Sequence, residues 1–267
     1  MARTGAPLAA GYTGVVIDID GVCVHGSTSV PGAAEAIEGL RDLGIAVAFA
    51  TNNASRTPAA VAEHLTAAGF SLEAAEVVTA GQAAAELLAP GTRCVVIGME
   101  GVRAPLAERG CLTVDDPEAA DAVVVGIDTH LCYEDLAVAT LAIRRGARFV
   151  GTNPDPNFPT ERGPIPGNGA ILAALTTTTG VSPEIAGKPQ APLFRAAADR
   201  LPPGATLMVG DRLDTDIAGA AALGWDTALV LSGMTTAAEA RDAAVAPTYV
   251  LASVADLLAP AGGGSAS

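Results

Sequence analysis

The chain alternates short runs of β-branched and other apolar residues with longer stretches rich in Ala and Leu. The first run, GVVIDI at residues 14–19, leads to a helical pattern near Gly32–Leu43. The second, IAVAFAT (Ile45–Thr51), leads to another near Thr57–Gly69. Late in the chain the rhythm returns as TLMVGD (Thr206–Asp211), a helix near Asp214–Leu223, and TALVLSG (Thr227–Gly233). Continuous apolar runs, rather than alternating ones, predict strands covered on both faces, as in a parallel sheet. The expected core is therefore α/β, a Rossmann-like doubly wound parallel sheet.

The middle of the chain repeats the pattern with strands of its own. RCVVIG (Arg93–Gly98), DAVVVGID (Asp121–Asp128) and ARFVGTN (Ala147–Asn153) are separated by helical patterns at Glu100–Arg109 and Tyr133–Arg145. These predict a smaller α/β domain inserted at residues 81–179, with the core built from 1–80 and 180–260. Residues 261–267, closing in GGGSAS, read as a flexible tail. No repeat at solenoid period is present.

Composition narrows the function classes. Net charge is −14 at pH 7. A broad nucleic-acid or anionic-membrane surface needs clustered Lys and Arg, so neither partner is expected. An anionic substrate must then be drawn by local groups: a metal, a lysine or helix N-termini. The four cysteines are widely spaced without a C-x-x-C, which predicts a reduced protein in the cytoplasm. The opening segment lacks a signal-peptide pattern, and no apolar run reaches the roughly 18 residues a membrane span needs.

Ligands of open parallel sheets bind beyond the carboxyl ends of the strands, and four polar stretches fall there. In DIDG, Asp18 and Asp20 stand at i and i+2 of an extended run and project to one side. Such a pair suits a hard cation, although a plain strand end and turn would read the same way. In TNNAS (Thr51–Ser55), a hydroxyl and backbone N–H groups suit phosphate oxygens, and equally the N-terminus of the next helix before Pro58. In AGKP, Lys188 can neutralise phosphoryl charge or sit on the surface. A P-loop is excluded, because six residues separate Gly180 from Gly187 and a proline follows Lys188. In MVGDRLDTDI, Asp211 can join a metal site, Asp216 can support it, and Asp214 reads as an N-cap. A dinucleotide enzyme is disfavoured, since no G-x-G-x-x-G follows the first strand.

Taken together, D-x-D-G-V, the Thr of TNN, the Lys of GKP and G-D-x-x-x-x-D resemble the motif set of the haloacid dehalogenase superfamily. The large insertion, with TNNASR and TNPDPNFPTERGPIPGNGAI, resembles its subclass with an α/β C2 cap. The resemblance spans roughly residues 12–258. It implies a phosphatase for a small phosphorylated metabolite such as glycerol 3-phosphate, phosphoglycolate or a sugar phosphate. It also implies Mg²⁺ as cofactor and leaves a homodimer open. Asp18 becomes the nucleophile and Asp20 the general acid and base. Asp18, the backbone carbonyl of Asp20 and Asp211 become the metal ligands, supported by Asp216. Thr51, with backbone N–H groups near Gly21 and Asn52, and Lys188 bind the phosphoryl group. In the cap, Asp128, Thr129, His130, Asn153, Asp155 and a turn at Pro166–Gly169 become candidates to face substrate. Cys23 reads as a packing residue and His25 as a turn residue. A phosphotransferase or mutase using the same aspartyl-phosphate, or a non-catalytic binding protein on this fold, are the alternatives.

Overall fold

The computed structural model describes residues 5–158 and 162–260; the expected tail at 261–267 lies outside them. The chain forms two compact units. The first holds residues up to Thr51, Ala59–Val78, and the chain from Phe194 onward; the second holds Asn52–Pro58 and Thr79–Leu193.

Strand β1 (Gly14–Ile17) opens the first unit, and all four of its residues are buried. Helix α1 (Ala33–Asp42) follows and buries Ala33, Ala36, Ile37 and Leu40, the i, i+3, i+4, i+7 face of an amphipathic helix. Strand β2 (Ala46–Thr51) lies parallel to β1, with Ile17 opposite Phe49. Helix α2 (Pro58–Ala67) begins on a proline, whose missing N–H costs nothing in a first turn. Strand β3 (Val77–Thr79) ends the first pass.

The chain then enters the second unit through helix α3 (Ala80–Glu86). Thr79 Oγ1 accepts the Gln82 N–H, and Thr79 N–H donates to the Gln82 side chain. This reciprocal cap explains why the strand becomes a helix without a loop. Strands β4 (Arg93–Ile97), β5 (Leu112–Thr113), β6 (Ala122–Val125), β7 (Arg148–Gly151) and β8 (Glu184–Ile185) form a sheet of order β8-β7-β6-β4-β5. All four of its neighbouring pairs are parallel. Helices α4 (Glu100–Glu108), α5 (Tyr133–Arg144) and α6 (Asn168–Thr179) complete this unit's main elements. Val95, Ile97, Val123, Val125 and Phe149 of the sheet pack with Ala139 and Ile143 of α5 and with Ile171, Leu172 and Leu175 of α6.

Helix α7 (Ala191–Ala198) leads back to the first unit, where β9 (Thr206–Gly210), β10 (Asp226–Val230) and β11 (Tyr249–Leu251) finish its sheet. The order is β11-β10-β9-β1-β2-β3. Alternate residues of β10 serve opposite faces: Ala228 and Val230 join the main core, and Leu229 a second cluster with Ile217 and Ala240. Burial on both faces is why these strands read as unbroken apolar runs.

Most of the expected strands and helices are observed within two residues of their expected bounds, but the runs at Asp121–Asp128 and Thr227–Gly233 end three residues early, at Val125 and Val230, and β3, β5, β11, α3, α6 and α7 were not expected. Three further differences bear on the site. Contacts place residues 180–193 with the second unit rather than with the core, because β8 pairs with β7. The expected turn at Pro166–Gly169 is the end of a short strand, Ile165–Pro166, followed by the start of α6. The expected helix at Asp214–Leu223 begins as a π-turn, Leu213–Ile217, and continues as Ala218–Ala222. Among the described residues no helix is long and apolar enough to cross a membrane.

Phe49 is fully buried in the first core. Replacing it with alanine is expected to lower the unfolding free energy by about 3–5 kcal/mol, read from urea denaturation. A loss near zero would show that this core does not hold the sheet together.

Candidate active site

The first sheet sets the site by its strand order. β1 lies between β2 and β9, and the register pairs Ile17 with both Phe49 and Val209. Three polar residues thereby share one carboxyl edge: Asp18 just after β1, Thr51 closing β2, and Asp211 just after β9. The Asp18 N–H donates to the Val209 carbonyl at 2.9 Å, which extends the ladder by one residue. Thr51 is 3% exposed.

Asp18, Asp211 and Asp216 form a buried cluster, 8%, 2% and 1% exposed, in which ligand oxygens from all three lie within 4.8 Å of one another. Asp216 reaches it from the π-turn, where both the Asp216 and Ile217 N–H groups donate to the Arg212 carbonyl. A wide turn of this kind is often found at functional sites. Asp216 was expected only as support, and the structure makes its carboxylate a member of the cluster. The Asp20 carboxylate is not a member; Asp20 is exposed, in a turn where the Gly21 N–H donates to the Val24 carbonyl. β1 ends at Ile17, the ladder reaches one residue further to Asp18, and the chain bends at Ile19, between the two carboxylates.

Hydrogen bonds and glycines hold these carboxylates in place. Asp211 Oδ2 accepts the Met234 N–H at 2.8 Å, and Asp216 Oδ2 accepts the Arg212 N–H at 3.1 Å. Gly21 has φ +85°, a left-handed conformation that favours glycine, and a Cβ there would overlap the Asp211 carboxylate. A Cβ at Gly233 would overlap the same carboxylate. Ser232 Oγ donates to the Gly21 carbonyl at 2.8 Å and so ties the two glycine segments together. The sequence motifs do not single out Ser232, Gly233 or Met234. The signal was available, because they follow an apolar run at another strand's carboxyl end.

Three carboxylates at this separation repel one another unless a cation or proton intervenes. The donors are all hard oxygens, which fits Mg²⁺ or Ca²⁺ rather than a soft metal. The triad can hold a divalent metal ion.

Neighbouring residues take other roles. Asp214 was expected to cap a helix. It instead pairs with Arg212 at 2.9 Å, and that guanidinium lowers its carboxyl below the usual range. Cys23 is fully buried with Sγ 3.5 Å from the Asp18 carbonyl, and burial, then the nearby Asp18 and Asp20, push its thiol up. Packing explains Cys23. His25 is exposed in the short hairpin of Val24–His25 with Thr28–Ser29.

The second unit holds the remaining candidates. Lys188 is 2% exposed. Its backbone N–H donates to Asn52 Oδ1 at 2.7 Å, and Asn52 Nδ2 donates to its carbonyl at 3.1 Å. The Asn52 side chain is thus engaged with Lys188, and its Nδ2 also lies 3.3 Å from Asp155 Oδ2. Asn153, expected to face substrate, is buried, and both ends of its amide are committed, to the Asn52 carbonyl and to the Asp155 N–H. Asp128 accepts the His130 N–H, and the exposed His130 ring stands 3.9 Å from the same carboxylate.

Residues 15–111 match the profile of the haloacid dehalogenase-like hydrolases, and residues 185–257 match the HAD-hydrolase-like profile. An acid sugar phosphatase of Staphylococcus haemolyticus is 40% identical over 243 residues, 89% of this chain and 92% of that protein. The chain belongs to the haloacid dehalogenase-like hydrolases. Another member, the D-glycerol 3-phosphate phosphatase of Mycobacterium tuberculosis, is 43% identical over 88% of this chain and 68% of its own length. A solved structure of the glycerol phosphate phosphatase of M. tuberculosis, in complex with magnesium, superposes with TM-score 0.89 and 39% identity, covering 97% of this chain and 79% of that one. Another structure of that hydrolase contains calcium. Both ions are the hard divalent type that the aspartate triad suits.

Adding Mg²⁺ to chelator-treated protein is expected to raise the melting temperature saturably, since binding to the folded state alone stabilises by about 2.7 kcal/mol at a hundred times Kd. Asp211→Asn should abolish the rise, and Gly233→Ala should shift it to higher Mg²⁺. Equal Mg²⁺ responses in all three proteins, followed by scanning fluorimetry, would place the metal elsewhere.

Proposed function

We propose that the protein is a Mg²⁺-dependent phosphomonoester hydrolase that works through an aspartyl-phosphate. The buried Asp18–Asp211–Asp216 cluster at the carboxyl edge of a parallel sheet carries this reading. Family membership gives it its chemical class.

In this mechanism Asp18 attacks phosphorus, forming an acyl phosphate as the P–O ester bond breaks. Asp20, exposed two residues after Asp18, supplies the proton that the leaving alkoxide takes. The Asp20 carboxylate then removes a proton from water, which attacks phosphorus, releases inorganic phosphate and regenerates Asp18. Asp18, Asp211 and Asp216, with the Asp20 carbonyl, would hold Mg²⁺, which would supply positive charge toward the phosphoryl oxygens and the carboxylates. Thr51 and backbone N–H groups at Gly21 and Asn52 orient the phosphoryl group, and Lys188 balances charge that develops on it.

The substrate is a small phosphorylated metabolite. The names of the relatives point to sugar phosphates and glycerol 3-phosphate, and glycerol 3-phosphate heads the panel to be tested. We assign the inserted unit as the cap, expected at residues 81–179 and reaching Leu193 by its contacts, with Asp128 and His130 as its candidates to meet the leaving group. A cytoplasmic location is part of this reading and rests on the wide spacing of the four cysteines in the sequence.

The test is inorganic phosphate release from a panel of phosphomonoesters with Mg²⁺ and with chelator. Mg²⁺-dependent release is expected, and Asp18→Asn should abolish it while leaving the thermal melt intact. Asp20→Asn should lose about 10²–10⁴-fold on alkyl phosphates and much less on aryl phosphates, whose leaving groups need no proton. Near wild-type turnover by Asp18→Asn would refute the nucleophile assignment. Transfer of phosphate to an added alcohol in preference to water would make the protein a phosphotransferase.

A further inference from the structure

The second unit contains a chain of three buried or partly buried asparagines that ends on the backbone of Lys188. Asn168, 2% exposed at the first position of α6, donates through Nδ2 to the Asn153 carbonyl at 2.7 Å. The same group lies 3.2 Å from the Val125 carbonyl, at the end of β6, and 3.3 Å from Thr152 Oγ1. Asn153 Nδ2 in turn donates to the Asn52 carbonyl at 2.7 Å. The Asn52 amide then closes two hydrogen bonds on the Lys188 backbone, one to its N–H and one to its carbonyl. Asp155 completes the bracing: its N–H donates to Asn153 Oδ1, and its Oδ2 accepts from Asn52 Nδ2.

The packing around this chain leaves little slack. The Gly187 N–H donates to the Thr152 carbonyl at 2.8 Å, and a Cβ at Gly187 would meet both that carbonyl and Asn52 Oδ1. At the other end, the Gly169 N–H donates to the Asp155 carbonyl, and a Cβ there would overlap the Pro154 carbonyl. The backbone of the lysine segment is therefore set by hydrogen bonds that lead back, one amide at a time, to the sheet and to α6.

We infer that Asn153 and Asn168 are positioning residues for Lys188. They touch no reacting atom and act by holding Asn52, which holds the lysine backbone. Buried amides suit this task. A side-chain amide offers a donor and an acceptor in one plane, and each bond is protected from water. The lysine side chain is carried by the backbone these amides fix, and misplacing a charge-stabilising group by about an ångström can cost on the order of 10²-fold in rate. The inference rests on the proposed role of Lys188 in balancing phosphoryl charge.

A double-mutant cycle tests it on the intact, Mg²⁺-loaded protein. Phosphate release from p-nitrophenyl phosphate is measured for wild type, Lys188→Ala, Asn153→Ala and the double variant, with thermal melts for each. Asn153→Ala is expected to lower kcat about 10²-fold with little change in KM. In the Lys188→Ala background the same substitution should change kcat little, because the group it positions is gone. Asn153→Asp, which keeps size and the acceptor but lacks the donor to Asn52, should behave like Asn153→Ala. Full activity in Asn153→Asp, or an equal loss in both backgrounds, would overturn the positioning role and leave a purely structural one. Full activity in Lys188→Ala would instead refute the reading of Lys188 itself. Asn168→Ser gives a second route if Asn153→Ala fails to fold, and it should show the same dependence on Lys188.

Discussion

Three carboxylates that cannot comfortably share a buried space are the constraint around which the first unit is arranged. Asp18, Asp211 and Asp216 would each be cheaper to bury alone, or not at all. Their closeness becomes tolerable with a cation or a shared proton, and the surrounding chain is shaped to keep them there. Glycines at 21 and 233 allow the backbone to come up to Asp211, and backbone N–H groups from Met234 and Arg212 fix two of the three carboxylates. Stability is given up locally so that the fold holds a preorganised anionic site.

This arrangement reconciles an acidic protein with an anionic substrate. With a net charge of −14, the surface as a whole repels phosphate. The attraction must then be local, and the aspartate triad can supply it by holding a divalent ion. At physiological ionic strength, charges farther than about 8 Å across solvent are largely screened, so the local groups dominate.

The sheet places the site and the turns tune it. Parallel order with β1 between β2 and β9 brings Asp18, Thr51 and Asp211 to one edge from sequence positions nearly two hundred residues apart. The π-turn after β9 then swings in Asp216, which a regular helix read from the sequence would have left as support. In the second unit, asparagine amides do comparable work, since short loops there hold Lys188 through side chain-to-backbone bonds rather than through strand pairing.

Much of this was legible in the linear sequence, for a physical reason. Strands buried on both faces must be continuously apolar, so GVVI, AVAFAT and TLMVG announce themselves, and the polar residue that ends each run marks the ligand edge. Asp18, Thr51 and Asp211 end such runs and share the sheet's carboxyl edge; Lys188 follows the short strand Glu184–Ile185. What the tertiary structure alone decided depends on distance and on local turn geometry. No spacing rule says that Asp216 joins the carboxylates while the Asp20 side chain stays out. None says that Asp214 pairs with Arg212 instead of capping, or that Asn153 is spent on Asn52. Those outcomes follow from which backbone groups lie within hydrogen-bond reach once the chain has turned, and one-dimensional periodicity carries no record of that.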